Sequence, residues 1–242
     1  MISYFFKFLK GATLKTIGLL GGMSWESTDL YYQQINKMVQ ISLGKLHSAK
    51  VVLISVDFAE IEELQHKGLW DEAGLYLKDK AIQLEKGGAD GIVLCTNTMH
   101  KVAAYIENST TIPFIHIADA TAAEILSQNI KKIGLLGTAF TMEQDFYKSR
   151  LEEKGLEVIT PNETDRKVVH DIIYNELCLG VINKESQKKY INVVEELISS
   201  GVEGIILGCT EIGMLIGDIK FSVPLFDTTS IHAKAAVDFV LS

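Results

Sequence analysis

The sequence Gly-Val-Glu-Gly-Ile-Ile-Leu-Gly-Cys-Thr-Glu occupies residues 201–211, and a related sequence, Gly-Gly-Ala-Asp-Gly-Ile-Val-Leu-Cys-Thr-Asn-Thr, occupies residues 87–98. Aligned without gaps, the two stretches lie 113 residues apart and place Cys209 opposite Thr96. Each consists of a Gly-rich turn, a short apolar run and a few small polar residues, which is typical of a buried parallel strand that ends at a site. The pair therefore predicts two matching strand ends that carry chemistry.

The internal repeat extends beyond these two stretches. Ile-Gly-Leu-Leu-Gly at residues 17–21 recurs 116 residues later, and Ile-Pro-Phe at residues 112–114 recurs as Val-Pro-Leu 111 residues later. Strand-turn-helix units resemble one another through common physics, so a single match carries little weight. Three matches in the same order, at a period too long for a solenoid, favour two similar α/β domains.

Alternating strand and helix patterns run through both halves of the chain. They predict mainly parallel sheets with helices on both faces, in two domains related by a pseudo-two-fold axis, residues 15–117 and 118–229. We expect the closing helix, residues 230–242, to return to the first domain. The predicted strands are residues 16–20, 51–56, 91–94, 113–117, 132–136, 156–160, 204–208 and 224–226. The predicted helices include residues 29–39, 71–86, 98–107, 120–128, 142–153, 166–177 and 185–199.

Composition narrows the class of protein. The chain has 242 residues, of which 47% are hydrophobic and 22% are charged, as in soluble globular proteins. The net charge of −8 disfavours a nucleic-acid or anionic-membrane partner, while leaving room for a local basic pocket. The three cysteines lack paired spacing and suggest neither a disulfide framework nor a zinc site. A reducing cytoplasm fits this composition best.

The first 14 residues are predicted to be an appendage. They are too short for a membrane span and lack the cleavage site of a signal peptide. One hypothesis is a translation start annotated too far upstream, since Leu14 precedes the first strand pattern at the point where a start would be natural. Intact mass of the protein from its native cell decides this, and a mass that includes Met1 would end the idea.

Cys209 is the main candidate for chemistry in the second half. It follows an apolar strand by one residue, so its thiol is expected at the carboxyl end of that strand, where it can act as a base or nucleophile. An unperturbed cysteine titrates near pH ~8.5, and the N-terminus of a following helix is expected to lower that pKa. The alternative interpretation is a small, buried, apolar cysteine.

The matching strand end of the first half carries Thr96, Asn97 and Thr98. Their hydroxyl and amide groups can hold a carboxylate, or they can simply cap a helix. The other two cysteines are predicted to be structural, because Cys95 lies one residue out of register and should face away from the site, and Cys178 lies in an amphipathic helical pattern. The histidines lack metal-ligand spacing and are also predicted to be structural; these are His100, His116, His170 and His232. The sequence also lacks the dinucleotide, P-loop, serine-elbow and paired-histidine motifs, so a nucleotide, flavin or metal is not supported.

Two facing strand ends would place one group on each face of a bound molecule. That geometry suits the movement of a proton across a carbon atom. The developing charge on a substrate carboxylate would be met by hydroxyls and by backbone N–H groups at the helix N-termini after Gly21-Gly22, Thr96, Thr138 and Cys209.

Four motifs in order along the chain resemble the aspartate/glutamate racemase family. They are Gly-Gly-Met-Ser-Trp-Glu-Ser-Thr at residues 21–28, Cys-Thr-Asn-Thr-Met-His at 95–100, Gly-Thr-Ala-Phe-Thr-Met-Glu-Gln at 137–144 and Gly-Cys-Thr-Glu at 208–211. The resemblance runs from Lys15 to the C-terminus. It implies two similar α/β domains with the site in the crevice between them, a homodimer, and no pyridoxal phosphate or metal. It also implies proton transfer between two residues, one from each half.

The resemblance places Cys209 at the second catalytic position and Thr96 at the first, where most members carry a cysteine. A threonine hydroxyl is far too weak an acid to rest ionised, so it is a poor base, although it can relay a proton onto a carbanion. The two directions of reaction should then be unequal. Similarity to the subgroup of acidic amino-acid racemases with threonine at this position implies a preference for the L enantiomer.

The same resemblance implies a set of substrate-binding residues. Met23 and Ser24 would approach the substrate through the first glycine turn, and Gln65 and Lys167 would contact its side chain. Relatives often carry a basic residue in place of Gln65, so a weaker grip on a distal carboxylate and a broader specificity are expected. The α-carboxylate would be held by Asn97, Thr98 and Thr210, with Thr138 at the neighbouring strand end.

Two other functions stay open at this point. The first is a lyase or isomerase of the same superfamily that uses a single cysteine, such as a decarboxylase of an activated diacid or a maleate isomerase. The second is a two-lobed amino-acid sensor in which Thr96 marks the loss of catalysis. Exchange of the Cα proton in D₂O without release of CO₂ separates a racemase from a decarboxylase, and tight binding of L-aspartate without exchange would support the sensor.

Overall fold

The computed structural model describes residues 14–217 and 219–242, so the predicted appendage lies outside the described residues except for Leu14. The chain divides into two compact units. Unit 1 comprises the described residues up to Cys95 together with Val102–Ile115 and His232–Ser242, and unit 2 comprises Thr96–Lys101 and His116–Ile231. The short segment Thr96–Lys101 thus leaves the predicted first domain and belongs to unit 2.

Unit 1 is built on a four-stranded parallel sheet with the order β2-β1-β3-β4. Its strands are β1 (Thr16–Gly21), β2 (Lys50–Ser55), β3 (Gly91–Leu94) and β4 (Phe114–Ile115). Its helices are α1 (Trp25–Leu43), α2 (Phe58–His66), α3 (Trp70–Lys86) and α4 (Ala103–Glu107). The continuous apolar run of β3 is fully buried, as expected for a central parallel strand, whereas the edge strand β2 is partly exposed.

Unit 2 repeats this plan with the order β6-β5-β7-β8, again all parallel. Its strands are β5 (Lys132–Gly137), β6 (Glu157–Ile159), β7 (Gly204–Gly208) and β8 (Leu225–Asp227). Its helices are α5 (Ile117–Ser127), α6 (Ala139–Glu143), α7 (Asp145–Glu152), α8 (Glu163–Asn175), α9 (Lys184–Ser199) and α10 (Ile212–Ile216). The last helix, α11 (Thr228–Leu241), begins in unit 2 and continues in unit 1 from His232 onward. The predicted fold class, two similar α/β sheets flanked by helices, is confirmed.

Each unit has its own apolar core. In unit 1, side chains of β1 and β3 pack with Tyr31 of α1 and with α11, including Ala236 and Val240. In unit 2, α8 and α9 cover one group of strand side chains, and α5 and α7 pack against another. Among the described residues, no helix is long and apolar enough to cross a bilayer.

Several predicted elements have different bounds in the structure. The strand predicted over residues 113–117 contains only Phe114–Ile115, because the His116 side chain accepts a hydrogen bond from the N–H of Ala118 and α5 begins at Ile117. The helix predicted over 142–153 is two helices, and the first of them is capped by Thr138. A helix was expected after Cys209 without stated bounds, and α10 has only five residues, too few to show a period in the sequence.

Candidate active site

The carboxyl edge of the unit 2 sheet gathers several predicted site residues. Strands β5 and β7 pair in register, with Gly137 opposite Gly208, so Thr138 and Cys209 follow neighbouring strands at the same edge. Strand β8 pairs with β7 and is followed directly by Thr228 and Thr229, the first residues of α11. In a parallel α/β sheet this edge is where ligands bind.

Gly208 fixes how Cys209 leaves the sheet. A Cβ atom at Gly208 would lie 2.7 Å from the carbonyl oxygen of Leu136, closer than real Cβ contacts allow. Only glycine therefore fits between β7 and β5 at this position. Cys209 is the first residue after β7 and the first since Leu207 to carry a side chain. The Cys209 side chain is half-buried.

The Cys209 thiol has a carboxylate beside it. Its Sγ atom donates a hydrogen bond of 2.9 Å to Oε2 of Glu211, which is itself buried. Burial raises the pKa of the Cys209 thiol well above its ordinary value, and the negative charge of Glu211 raises it further. The expectation that a helix N-terminus lowers this pKa is wrong, because α10 has only five residues and the adjacent carboxylate opposes ionisation.

The strand end of the first repeat is hydrogen-bonded to this same edge. Asn97 Nδ2 donates to the hydroxyl oxygen of Thr228 at 3.0 Å, and the Thr98 hydroxyl lies 3.1 Å from the Thr138 hydroxyl. Thr138 is in turn 3.3 Å from the hydroxyl of Thr141. These bonds connect the segment Thr96–Lys101 to other residues of unit 2.

The orientation of the Asn97 amide follows from its partner. Thr228 donates its hydroxyl hydrogen to the carbonyl oxygen of Leu207 at 2.9 Å, and a carbonyl can only accept. The Thr228 oxygen must therefore accept from Asn97, which places the amide nitrogen toward Thr228. The other amide atom, Asn97 Oδ1, is buried and has no hydrogen-bond partner among the described residues.

A second hydroxyl pair lies at this edge of the unit 2 sheet, after the neighbouring strands β7 and β8. Thr229 donates to the hydroxyl oxygen of Thr210 at 3.1 Å, and both residues are buried. Thr96 itself is half-buried at the start of its segment. Seven of the site residues predicted from the sequence belong to unit 2: Thr96, Asn97, Thr98, Thr138, Lys167, Cys209 and Thr210. Among these seven, a hydrogen bond between side chains joins Thr98 to Thr138.

The predicted site residues of unit 1 are Met23, Ser24 and Gln65, all of them buried. The Ser24 hydroxyl accepts a hydrogen bond from the N–H of Ser27 and caps α1, so this residue also has a structural role. Gly22 has a φ of 95°, and a Cβ there would lie 2.2 Å from the carbonyl oxygen of Val56. The close approach of the Val56 backbone therefore requires a glycine at position 22, in the turn before Met23.

Lys167 differs from the other candidates in its exposure. Its side chain is 74% exposed on α8 and forms an ion pair with Asp171 one turn later. This is the arrangement of a solvated helix pair, worth a few tenths of a kcal/mol. A role for Lys167 in contacting substrate stays a prediction.

Sequence reasoning missed Glu211, the two threonines at the start of α11 and Thr141 of α6. Glu211 was visible in the Gly-Cys-Thr-Glu motif, where a carboxylate two residues from a thiol is a signal in itself. Thr228 and Thr229 follow an apolar strand, the same pattern that marked Thr96. Thr141 carried no such signal. Within residues 14–217 and 219–242, no three His, Cys, Asp or Glu side chains are arranged to hold a metal ion.

The comparison with protein families decides the assignment. A family model described as Asp/Glu/hydantoin racemase matches residues 20–236. The chain belongs to this family. The site that the motifs predict at residues 95–100 and 208–211 lies within the matched region.

Solved structures similar to this racemase include a Yersinia pestis protein assigned as an Asp/Glu racemase, with 57% identity and a TM-score of 0.90 over 95% of this chain and 100% of that one. An aspartate racemase homologue from Pyrococcus horikoshii OT3 is 34% identical, with a TM-score of 0.83 over the same shares of the two chains. The broad specificity amino-acid racemase RacX of Bacillus subtilis is 27% identical over 235 residues, 93% of this chain and 98% of its own. Racemases are isomerases, so the chain is an isomerase of this family.

Proposed function

We propose that this racemase interconverts the enantiomers of small amino acids, with aspartate and glutamate as the first candidates, by moving a proton at Cα without pyridoxal phosphate. Its similarity to a broad-specificity amino-acid racemase and to an aspartate racemase homologue supports this substrate class. We further propose that it acts in the cytoplasm as a homodimer, whose mass light scattering would measure.

The buried oxygen Asn97 Oδ1 is the observation that carries the proposal. A buried acceptor without a donor costs about 1–3 kcal/mol, so this atom favours a ligand that brings an N–H group. The α-ammonium group of an amino acid is such a donor, so Asn97 Oδ1 would meet this group rather than the α-carboxylate that the resemblance implies. The diacids of a decarboxylase or maleate isomerase present ionised carboxylates at neutral pH, and those groups only accept. Asn97 therefore favours an amino acid over the single-cysteine alternatives.

Cys209 and Glu211 supply the base on one face of the substrate. Transfer of the thiol proton to Glu211 across the 2.9 Å contact leaves a thiolate at Sγ and neutralises the carboxylate whose charge otherwise opposes ionisation. The thiolate removes the α-proton: the Cα–H bond breaks, an S–H bond forms, and the electron pair spreads onto the α-carboxylate. Hydroxyls at the strand ends, such as those of Thr98 and Thr210, would stabilise the charge that develops there.

Thr96 completes the reaction from the opposite face. Its O–H group protonates the carbanion, which forms the Cα–H bond of the other enantiomer, and its oxygen then regains a proton from solvent. In the reverse direction Thr96 would have to remove a proton, for which a neutral hydroxyl is poorly suited. We therefore propose unequal kcat values in the two directions, with the larger kcat for the L enantiomer, whereas kcat/KM is the same in both directions because enantiomers have equal free energies.

Selection of the substrate side chain is expected to be loose. Gln65 carries no charge, and the charge of Lys167 is partly neutralised by Asp171. A distal carboxylate would thus meet a weak positive field. This arrangement supports a broad specificity in which aspartate and glutamate compete with other small amino acids.

Proton NMR of amino acids in D₂O tests the proposal. L- and D-aspartate and L- and D-glutamate are incubated with the protein and with a Cys209→Ala control. We expect loss of the Cα proton signal and formation of the opposite enantiomer, both absent in the control. Release of CO₂ from a diacid would instead support the lyase, and binding of L-aspartate by calorimetry without exchange would support the sensor.

A further inference from the structure

The buried imidazole of His100 connects Thr96 to the start of a helix. Its Nδ1 atom lies 2.7 Å from the carbonyl oxygen of Thr96, and its Nε2 atom lies 3.2 Å from the backbone nitrogen of Ile117, the first residue of α5. Only 3% of the His100 surface is exposed. One side chain therefore bridges the Thr96 backbone and an element that is distant in sequence.

The two contacts fix the proton on the ring. The N–H of Ile117 can only donate, so Nε2 of His100 accepts and carries no hydrogen. The carbonyl oxygen of Thr96 can only accept, so Nδ1 carries the hydrogen and donates it. His100 is thus a neutral imidazole whose tautomer is set by its two backbone partners.

A second histidine, His116, also caps the N-terminus of α5. His116 Nδ1 accepts from the N–H of Ala118 at 3.1 Å, and the rings of His100 and His116 meet edge to face with centroids 4.5 Å apart. These two histidines satisfy the N–H groups of Ile117 and Ala118 at the N-terminus of α5. The bond from His100 to Thr96 is additional, since the cap does not need it.

We infer that His100 is a positioning residue for Thr96: its Nδ1–H holds the Thr96 carbonyl so that the hydroxyl meets the substrate from the face opposite Cys209. The inference rests on the proposed function. His100 acts through the backbone of Thr96 and touches no reacting atom in this mechanism. Its loss should impair the step at Thr96 and leave the step at Cys209 intact.

Two substitutions separate the bonds of His100. An asparagine amide nitrogen can take the place of Nδ1, so His100→Asn keeps the donor to Thr96 and loses the cap. A glutamine amide oxygen can take the place of Nε2, so His100→Gln keeps the cap and loses the donor to Thr96. Loss of a cap is expected to lower Tm by roughly 2–4 °C. Each variant loses one hydrogen bond and should be less stable than the wild type, but only His100→Gln should be impaired in the step at Thr96.

Exchange in D₂O gives a readout that a purely structural role would not change. Substrate whose α-proton is removed by Cys209 either regains deuterium from the same face or is protonated by Thr96 and inverted. We expect the ratio of inversion to exchange with retention to fall about tenfold in His100→Gln, as for loss of one hydrogen bond, and to equal that of the wild type in His100→Asn.

The outcomes are distinguishable. A wild-type ratio in His100→Gln, or an equal fall in both variants, would overturn the inference while the wild type still racemises. A wild-type protein that neither exchanges nor inverts any of the four substrates would overturn the proposed function, and this inference with it.

Discussion

Cys95 and Cys209 follow closely similar apolar strands in the two units, and burial raises the pKa of both thiols, yet only Cys209 is partly exposed and bonded to a carboxylate. Cys95 comes directly after β3, is fully buried and packs in the core of unit 1, where burial raises the pKa of its thiol. Cys209 is separated from the apolar run of β7 by Gly208, is half-buried, and donates to Glu211. A shift of one residue turns a side chain to the other side of a strand. The register thus decides whether a cysteine is structural or available for chemistry.

The largest expected effect separates these two cysteines. Cys209→Ala removes the proposed base, so both exchange and racemisation should fall by about 10²–10⁴-fold. The matched control, Cys95→Ala, should leave kcat/KM within about twofold and lower Tm by a few degrees, because it removes a buried sulfur atom from the unit 1 core. Proton NMR in D₂O and thermal unfolding measure both. Equal losses of activity in the two variants would contradict the contrast between them.

A smaller effect is expected from a substitution of Glu211, the carboxylate that accepts the hydrogen bond of Cys209. In Glu211→Gln the thiol loses its proton acceptor, and kcat should fall roughly 100-fold. The pKa of the thiol should nevertheless move down, since the negative charge of Glu211 raises it in the wild type. The rate of alkylation by iodoacetamide against pH reports this pKa. A thiol pKa that rises, or an unchanged kcat, would show that Glu211 does not act on Cys209 as proposed.

Unit 1 has a buried titratable group of another kind. His232 donates from Nε2 to the carbonyl oxygen of Ile115 and accepts at Nδ1 from the Tyr31 hydroxyl, and burial lowers the pKa of His232 from its ordinary 6.5 to about 4. The unfolded chain therefore binds a proton more readily than the folded one between these two values. The free energy of unfolding should fall as pH falls from 6.5 to 4, by about 3 kcal/mol from this residue.

Urea unfolding of the wild type and of His232→Asn between pH 7 and pH 4 measures this contribution. The variant is expected to be less stable at pH 7 and to lose less of its stability as the pH falls. Because the Cys209 thiol lies in unit 2, its alkylation profile should be the same in His232→Asn and in the wild type. Parallel stability curves for the two proteins would contradict the assigned pKa of His232.

Much of the fold was predictable because the buried strands have a clear sequence pattern. Both central apolar runs, Gly91–Leu94 and Gly204–Gly208, were predicted with the bounds that the structure has, since glycines precede each run and small polar residues follow it. Helices were less well bounded where a side-chain cap decides their start, as Thr138 does for α6. A cap is one hydrogen bond and leaves little trace in hydrophobic periodicity.

The environment of the site was harder to predict from the sequence. The pKa of the Cys209 thiol depends on burial and on the Glu211 carboxylate. The prediction from the sequence considered only the following helix and therefore included neither effect. The bonds from Asn97 to Thr228 and from Thr98 to Thr138 join residues 131 and 40 positions apart. Such pairings follow from the packing of distant strands, so the membership of Thr96–Lys101 in unit 2 emerges only in three dimensions.

Helix α11 is shared between the two units, and this has a consequence for biosynthesis. Residues 233–240 of α11 complete the core of unit 1, although the sheet of that unit is finished by residue 115. During translation the core of unit 1 therefore cannot be completed until residues 233–240 have been synthesised, after the whole segment His116–Ile231 of unit 2. Loss of residues 233–240 would thus damage unit 1, whose first strands are synthesised before any other part of the fold.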